Sequence, residues 1–293
     1  MTQAETWTVG RLLQWTTDYL KRHGSESPRL DAEVLLAHAL GCARIGLYTA
    51  FEEEPGEPVR NAFRELVRRR ADGEPVAYLV GRREFYSLSF RVSRAVLVPR
   101  PETELLVVTL LDLARSRTDL PAPEICDVGT GSGTIAICAA KYLTKARVTA
   151  IDSSAEALAV ARLNASDHRV AERIEFVEGD LLESLPAERT FDFVASNPPY
   201  VSQSEWETLA PDVRKFEPRG ALVAGPKGTE VIARLIPQAA ERLKPGGYLL
   251  VEISPMIHEA VGKLLESEPR LEPQPTVKDL SRHARVVVAR RTA

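Results

Sequence analysis

The sequence predicts a two-part α/β protein: a small all-helical domain, then a Rossmann-like, mostly parallel sheet covered by helices on both faces. Three observations carry that expectation. Apolar residues recur at helical spacing from the start of the chain to about residue 80. At Glu84 the period changes to a partial alternation rich in aromatic and β-branched residues. From Glu124 onward, short apolar runs alternate with helical stretches, the pattern of a parallel sheet buried on both sides. The expected division is a helical domain over 1–80, a β-hairpin linker over 81–99 and the α/β domain over 100–293.

In "VGRLLQWTTDYLKRHG", Val9, Leu12, Leu13, Thr16, Tyr19 and Leu20 mark one face of a first helix, which Gly24 closes. "SPRLDAEVLLAHALG" predicts a second, with Ser27 as N-cap, Pro28 at its first position and Gly41 past its end. "PVRNAFRELVRRR" predicts a third, with Ala62, Phe63, Leu66 and Val67 turned inward. The segment "EFYSLSFRVSRAVLVPR" reads as a hairpin or pair of short strands. In "RPETELLVVTLLDLAR" a helix begins at Pro101, with Glu102 and Glu104 at the positive end of its dipole. The strands of the main sheet are expected in "EICDVG", "RVTAID", "RIEFVEG", "FDFVASN", "GYLLVEI" and the closing "ARVVVAR". Helices are expected in "GTIAICAAKYL", "SAEALAVARLNAS", "GTEVIARLIPQAAERL" and "MIHEAVGKLLES".

Composition narrows the function classes. The 293 residues are 44% apolar and 27% charged, ordinary for a globular chain. With 38 basic and 41 acidic residues the net charge is −3, which provides no global field to gather nucleic acid. The three cysteines, Cys42, Cys126 and Cys138, fit no zinc pattern, and no metal site is expected. The opening "MTQAETWTVG" lacks a basic flank and an apolar stretch, and no apolar run approaches the ~20 residues a membrane span requires. A cytoplasmic protein without membrane or stable nucleic-acid partners is the expectation, acting as a monomer.

Two motifs carry chemistry. "DVGTGSGT" places Gly129, Gly131 and Gly133 where a strand turns into a helix, letting a ligand approach the main chain. Thr134 stands where the dinucleotide fingerprint has its last glycine. Asp152 ends the next strand, where an acid can accept from both ribose hydroxyls, and Asp180 follows the third, where an adenine edge would lie. Together they describe a nucleoside pocket.

The second motif is "SNPPY", Ser196–Tyr200, directly after the fourth strand. Prolines 198 and 199 have no N–H, so no local donor competes for the Asn197 side-chain oxygen or the Pro198 carbonyl. Pro199 biases Pro198 to an extended conformation. Two acceptors and the flat face of Tyr200 suit a planar –NH₂ group. Held in this way, its lone pair is directed at an electrophile beside the nucleoside pocket, pointing to the methyl sulfonium of S-adenosylmethionine.

With these residues in place, the sequence resembles the class I methyltransferases: "DVGTGSG" is similar to their cofactor loop and "NPPY" to the motif of enzymes that methylate planar amino groups. Those enzymes act on adenine in DNA, guanine in RNA, or glutamine amides in proteins. "VPRPETE" at 98–104, "FEPRGALVAG" at 216–225 and the helical first domain together resemble the release-factor glutamine methyltransferases of the HemK/PrmC type, over almost the whole chain. The resemblance implies a seven-stranded sheet with an antiparallel last strand. It implies an activity: methylation of the glutamine in the Gly-Gly-Gln loop of class I peptide-chain release factors. Carried over by position, Gly129, Thr130, Gly131, Ser132, Gly133, Asp152, Asp180, Leu181 and Asn197 would hold the cofactor. Asn197, Pro198, Pro199 and Tyr200 would hold the glutamine amide, with Arg100 and Glu102 nearby and the first domain on the release factor. A sister family methylates a ribosomal-protein glutamine and shares NPPY, and a nucleic-acid methyltransferase would need a basic groove. "RELVRRR" (Arg64, Arg68, Arg69, Arg70) with Arg82 and Arg83 is the one candidate for such a groove. Where the family commonly carries Glu-hydrophobic-Gly-x-x-Gln, this chain has "EISPMIHEAV", with Ser254, Met256, Ile257 and His258.

Overall fold

The computed structural model describes residues 6–292, which divide into two compact units. The first runs through Arg82 and includes the distant segment Pro211–Phe216; the second holds the remainder. In the first unit, α1 (Val9–Arg22), α2 (Pro28–Leu40), α3 (Gly46–Thr49), α4 (Glu57–Ala71) and α5 (Val76–Val80) pack on a shared apolar core. Leu13, Leu20, Leu35, Leu36 and Leu47 are buried in it, the stripe that the periodicity predicts. Thr8 caps α1 through its side chain, and Gly41 ends α2 at a φ of 67°. Two local expectations fail. Ser27 sits at the N-cap of α2 without making a side-chain cap bond. Ala62 is exposed, while Phe63 and Val67 are buried in the core and Leu66 packs against it.

A hairpin of β1 (Arg82–Phe85) and β2 (Leu88–Arg91) starts at the last residue of the first unit's leading segment and otherwise belongs to the second. Its two turn residues, Tyr86 and Ser87, hold φ values of 49° and 59°, the left-handed pair that matches strand twist in a two-residue hairpin. The helix α6 (Thr103–Ser116) starts two residues later than expected, so Pro101 lies outside it and Glu102 is the N-cap.

Then come β3 (Glu124–Val128), α7 (Thr134–Tyr142), β4 (Arg147–Asp152), α8 (Ala155–Asp167), β5 (Ile174–Glu178) and β6 (Phe191–Ser196). They are followed by β7 (Val201–Ser202), α9 (Gln203–Trp206), α10 (Pro211–Phe216) and β8 (Val223–Gly225). The chain ends with α11 (Glu230–Arg242), β9 (Leu243–Glu252), α12 (His258–Glu266), β10 (Leu271–Pro273), β11 (Val277–Lys278) and β12 (Ala284–Arg291).

The main sheet has the order β10-β12-β9-β6-β3-β4-β5, with β11 paired to β12. Strands β5, β4, β3, β6 and β9 are parallel, and β12 runs antiparallel against both β9 and β10. The expected architecture is therefore borne out, with eight strands rather than seven: the short β11 adds one at β12. Buried clusters cover both faces, one around Phe193, Leu106 and Ile137 and the other around Phe191, Ile232 and Val251. The strand order reverses between β3 and β6, the switch point beside which open parallel sheets bind ligands.

Candidate active site

At the carboxyl edge of the sheet lies a cleft of about 330 Å³. Gly129, Thr130, Gly131 and Ser132 after β3, Asp152 at the end of β4, Asp180 and Leu181 after β5, and Asn197 and Pro199 after β6 line it. Arg100 lines it as well. Four sequence-expected residues are not among its lining. Gly133 has a φ of 86°, and a Cβ there would come within 2.9 Å of Ile137 and 3.2 Å of Ala161, so it lets α7 pack. Pro198 is buried, Tyr200 packs with the Val251 cluster, and Glu102 is exposed at the start of α6.

The glycine turn is tied down by hydrogen bonds. Gly129 and Thr130 donate their N–H groups to the Ile151 carbonyl at 2.8 and 2.9 Å. The Gly131 N–H donates to Asp152 Oδ2 at 2.8 Å, and the Ser154 N–H to Oδ1 at 3.0 Å. Asp152 is thereby fixed in rotamer with lone pairs to spare. Gly131 has a φ of 55° and no atom within 4 Å of the place a Cβ would take, so only hydrogen faces the cleft.

Beneath this turn sits Asp127, wholly buried. Its Oδ2 accepts from the Thr130 hydroxyl at 2.6 Å and the Ala136 N–H at 3.0 Å. Its Oδ1 is buried with no hydrogen-bond partner among the described residues. Burial pushes its carboxyl up to about 7 against the pull of those two hydrogen bonds, and the nearby Asp152 charge adds to the rise. No cationic side chain pairs with this acid among the described residues.

On the opposite side, Asn197 donates Nδ2–H to the Thr103 hydroxyl at 3.0 Å. Glu252, the last residue of β9, is also buried, and its Oε2 has no hydrogen-bond partner among the described residues. Ser196 Oγ donates to the Val128 carbonyl at 2.7 Å, locking β6 against β3 where the prolines begin. Burial and the neighbouring Glu252 push the Tyr200 phenol up to about 12. Arg100 pairs with the buried Glu217 at 2.6 Å, so the "PRPE" and "FEPR" segments meet at the cleft wall.

Several contributors have no sequence signal strong enough to single them out. Asn164 on α8 is fully buried: it accepts from the Arg91 N–H at 2.7 Å and donates to the carbonyls of Arg91 and Ser132 at 3.0 and 2.8 Å. A polar residue inside an apolar helical run was the one available hint. Arg234 on α11 reaches Asp180 at 2.6 Å and lines the same cleft, a pairing no local pattern announces. Asp127 and Glu252 announce themselves only as charges inside apolar strands.

The basic run on α4 is spent on local partners. Arg68 pairs with Glu65 and Asp72, Arg69 with Glu74, and Arg70 with Asp31, while Arg64 hydrogen-bonds Asn61. A phosphate backbone would have to displace these carboxylates. Among the described residues, no helix is long and apolar enough to cross a membrane. Cys126 and Cys138 are buried, with thiols raised by burial, and serve as core residues.

Comparison with known proteins decides the family. The chain is 53% identical to the release factor glutamine methyltransferase of Rhodopirellula baltica over 96% of its own length and 95% of that protein. The chain belongs to the release factor glutamine methyltransferase family. The enzyme of that name from Koribacter versatilis is 41% identical, over 93% of this chain and 95% of that one. Residues 11–81 match the family model of the PrmC N-terminal domain, and 102–224 match that of the methyltransferase small domain. In fold, it is similar to a Thermus thermophilus 16S rRNA N2 G1207 methyltransferase solved with AdoMet and guanosine. That likeness has a TM-score of 0.52 at 18% identity and covers 72% of this chain and 49% of that one.

Proposed function

We propose that this enzyme, an S-adenosylmethionine-dependent methyltransferase, methylates the side-chain amide nitrogen of the glutamine in the Gly-Gly-Gln loop of class I peptide-chain release factors. One observation carries the reading. Asn197 lines the same cleft as Asp152 and the glycine turn, and its NH₂ is committed to Thr103, which leaves its oxygen as an acceptor.

The cofactor supplies a methyl group on a sulfonium centre, electrophilic without any metal or base. Asp152 accepts from the ribose hydroxyls, and the Gly131–Ser132 backbone admits the ligand close to the main chain. Asp180 and Leu181 flank the adenine. Asn197 Oδ1 and the Pro198 carbonyl each take one hydrogen of the glutamine amide, with Tyr200 packed beside it. That grip fixes the planar nitrogen and turns its lone pair toward the methyl group. Orientation of this kind is worth up to ~7–11 kcal/mol in well-aligned reactions. As the N–CH3 bond forms the S–CH3 bond would break, its electron pair staying on sulfur to leave the neutral thioether product. The surplus proton of the alkylated amide nitrogen, weakly held, would pass to water. The helical unit supplies contacts to the release factor, and the enzyme works as a monomer in the cytoplasm.

The test is label transfer from methyl-labelled cofactor to four acceptors: a class I release factor, its Gln-to-Ala variant in the Gly-Gly-Gln loop, large-subunit ribosomal protein, and nucleic acid. Label on the intact release factor alone supports the reading. Label on nucleic acid or ribosomal protein alone, or on the variant release factor, rejects it.

A further inference from the structure

Two cationic side chains line the cleft, Arg234 and Arg100. Arg234 is spent on Asp180 at 2.6 Å and Glu183 at 3.2 Å, beside the residues assigned to the adenine. Arg100 is tied to the asparagine instead. Its carbonyl accepts from the Thr103 N–H at 3.2 Å, and the Thr103 hydroxyl accepts from Asn197 Nδ2 at 3.0 Å. One tight turn thus carries the arginine at its start and the residue that holds Asn197 at its end. Pro218, Gly220 and Ala221 line the cleft as well. Their segment is fastened just past the NPPY motif, where the Val201 N–H donates to the Leu222 carbonyl at 2.9 Å. Arg100 therefore belongs to the part of the cleft assigned to the glutamine.

Glu217 holds the guanidinium from the protein side. Arg100 Nη2 donates to Glu217 Oε1 at 2.6 Å, and Glu217 Oε2 accepts from the Val98 N–H at 3.4 Å. The glutamate side chain is 3% exposed and the arginine side chain 34%. Among the described residues no other hydrogen bond uses this guanidinium, which carries five N–H donors in a rigid plane. Most of the fork is left for a ligand, while the carboxylate cancels its charge. The cancellation matters here, because a bare cation in the same cleft would repel a sulfonium. Glycines offer no side chain, so a Gly-Gly-Gln loop presents its glutamine amide and its main-chain N–H and C=O groups. Asn197 and Pro198 supply acceptors alone, and Arg100 supplies the donors they lack.

We propose that Arg100 is a specificity-determining residue that donates to a main-chain carbonyl of the substrate loop, and that Glu217 is the positioning residue that aims its guanidinium and cancels its charge beside the sulfonium. The inference rests on the functional reading above and adds to it the recognition of the backbone around the glutamine.

Two measurements on the full chain test this. Arg100→Lys keeps a charge beside Glu217 but loses the planar fork. In methyl transfer to a class I release factor it should raise KM for that protein about 10- to 100-fold, with kcat and the affinity for the demethylated cofactor nearly unchanged. An unchanged KM overturns the proposal. An equal loss of affinity for the demethylated cofactor also overturns it, by assigning Arg100 to the cofactor's own carboxylate. The second measurement compares affinity for S-adenosylmethionine, a sulfonium, with affinity for the demethylated product, a neutral thioether. Glu217→Gln leaves the arginine charge uncancelled and should weaken the sulfonium about 3- to 10-fold relative to the thioether. The double variant Arg100→Gln/Glu217→Gln holds neither charge and should restore the wild-type ratio. A wild-type ratio in Glu217→Gln, or no restoration in the double variant, overturns the role of Glu217. If the wild-type protein methylates no release factor, the functional reading and the carbonyl assignment fall together, while the affinity ratio still decides whether Glu217 cancels the charge of Arg100.

Discussion

Two buried acids at the carboxyl edge of the sheet, Asp127 and Glu252, differ from those of the helical unit and from Glu217, which pairs with Arg100 at the cleft wall. In the helical unit each finds cations. Glu33, 3% exposed, accepts from Tyr48 at 2.6 Å and from Arg29 and Arg44 at 2.7 Å each. Burial opposes its ionisation, but those three partners together outweigh burial and hold its carboxyl down to about 2. Asp31 pairs with Arg70, and Glu74 with Arg69. At the sheet edge, Asp127 and Glu252 each keep an oxygen without a partner, and burial drives both up to about 7. The difference teaches where function sits: paired acids stabilise an element, whereas unpaired ones are kept at a cost in stability beside the cleft.

That contrast can be broken by substitution. The largest effect is expected at Asn197, whose side-chain oxygen is left as an acceptor in the cleft. Asn197→Ala should reduce methyl transfer on the order of 1000-fold while cofactor affinity changes only a few-fold, as single-turnover kinetics and calorimetry would report. Retained turnover would mean the chemistry lies elsewhere.

Next comes the pH dependence of stability. Asp127 has a folded value of about 7 against an ordinary one near 3.8, so its favourable contribution is complete below about 4 and lost as pH rises through 7. Asp127→Asn removes that loss. In urea titrations the variant should gain on the wild-type protein between about pH 4 and 8, by roughly 2–4 kcal/mol at the upper end. A constant difference across that range would show that Asp127 is not the unneutralised acid described.

Asp152→Ala should weaken cofactor binding about 10- to 100-fold, since it removes the ribose acceptor and frees the Gly131 and Ser154 N–H groups. Unchanged affinity would contradict its place in the pocket. The smallest effect belongs to the paired set. Glu33→Gln should cost about 1–2 kcal/mol of stability, modest because Arg29 and Arg44 are 41% and 53% exposed. It should leave kcat intact. A drop in kcat with full stability would erase the distinction between the two kinds of acid.

Much of this was legible in the sequence where local chemistry dictates structure. Alternation of apolar runs gave the parallel strands, and glycine spacing gave the turn after β3. Two prolines marked the end of β6 because neither can extend a ladder. What stayed hidden depends on contacts between distant segments. The eighth strand is two residues long and exists only because β12 is there to pair with it. The start of α6 was misplaced at Pro101 because the chain still turns through Glu102. Asn164, Glu217 and Arg234 owe their roles to partners 73, 117 and 54 residues away. Gly133 fits the cofactor motif by spacing but serves helix packing, which spacing cannot distinguish.

The most direct test of the account is a crystal structure of the enzyme with the demethylated cofactor product and a Gly-Gly-Gln peptide. The account requires the product's sulfur to face the glutamine nitrogen, the ribose to sit on Asp152, and both amide hydrogens to be held by Asn197 Oδ1 and the Pro198 carbonyl. A glutamine bound away from Asn197, or a sulfur turned from its nitrogen, would contradict it.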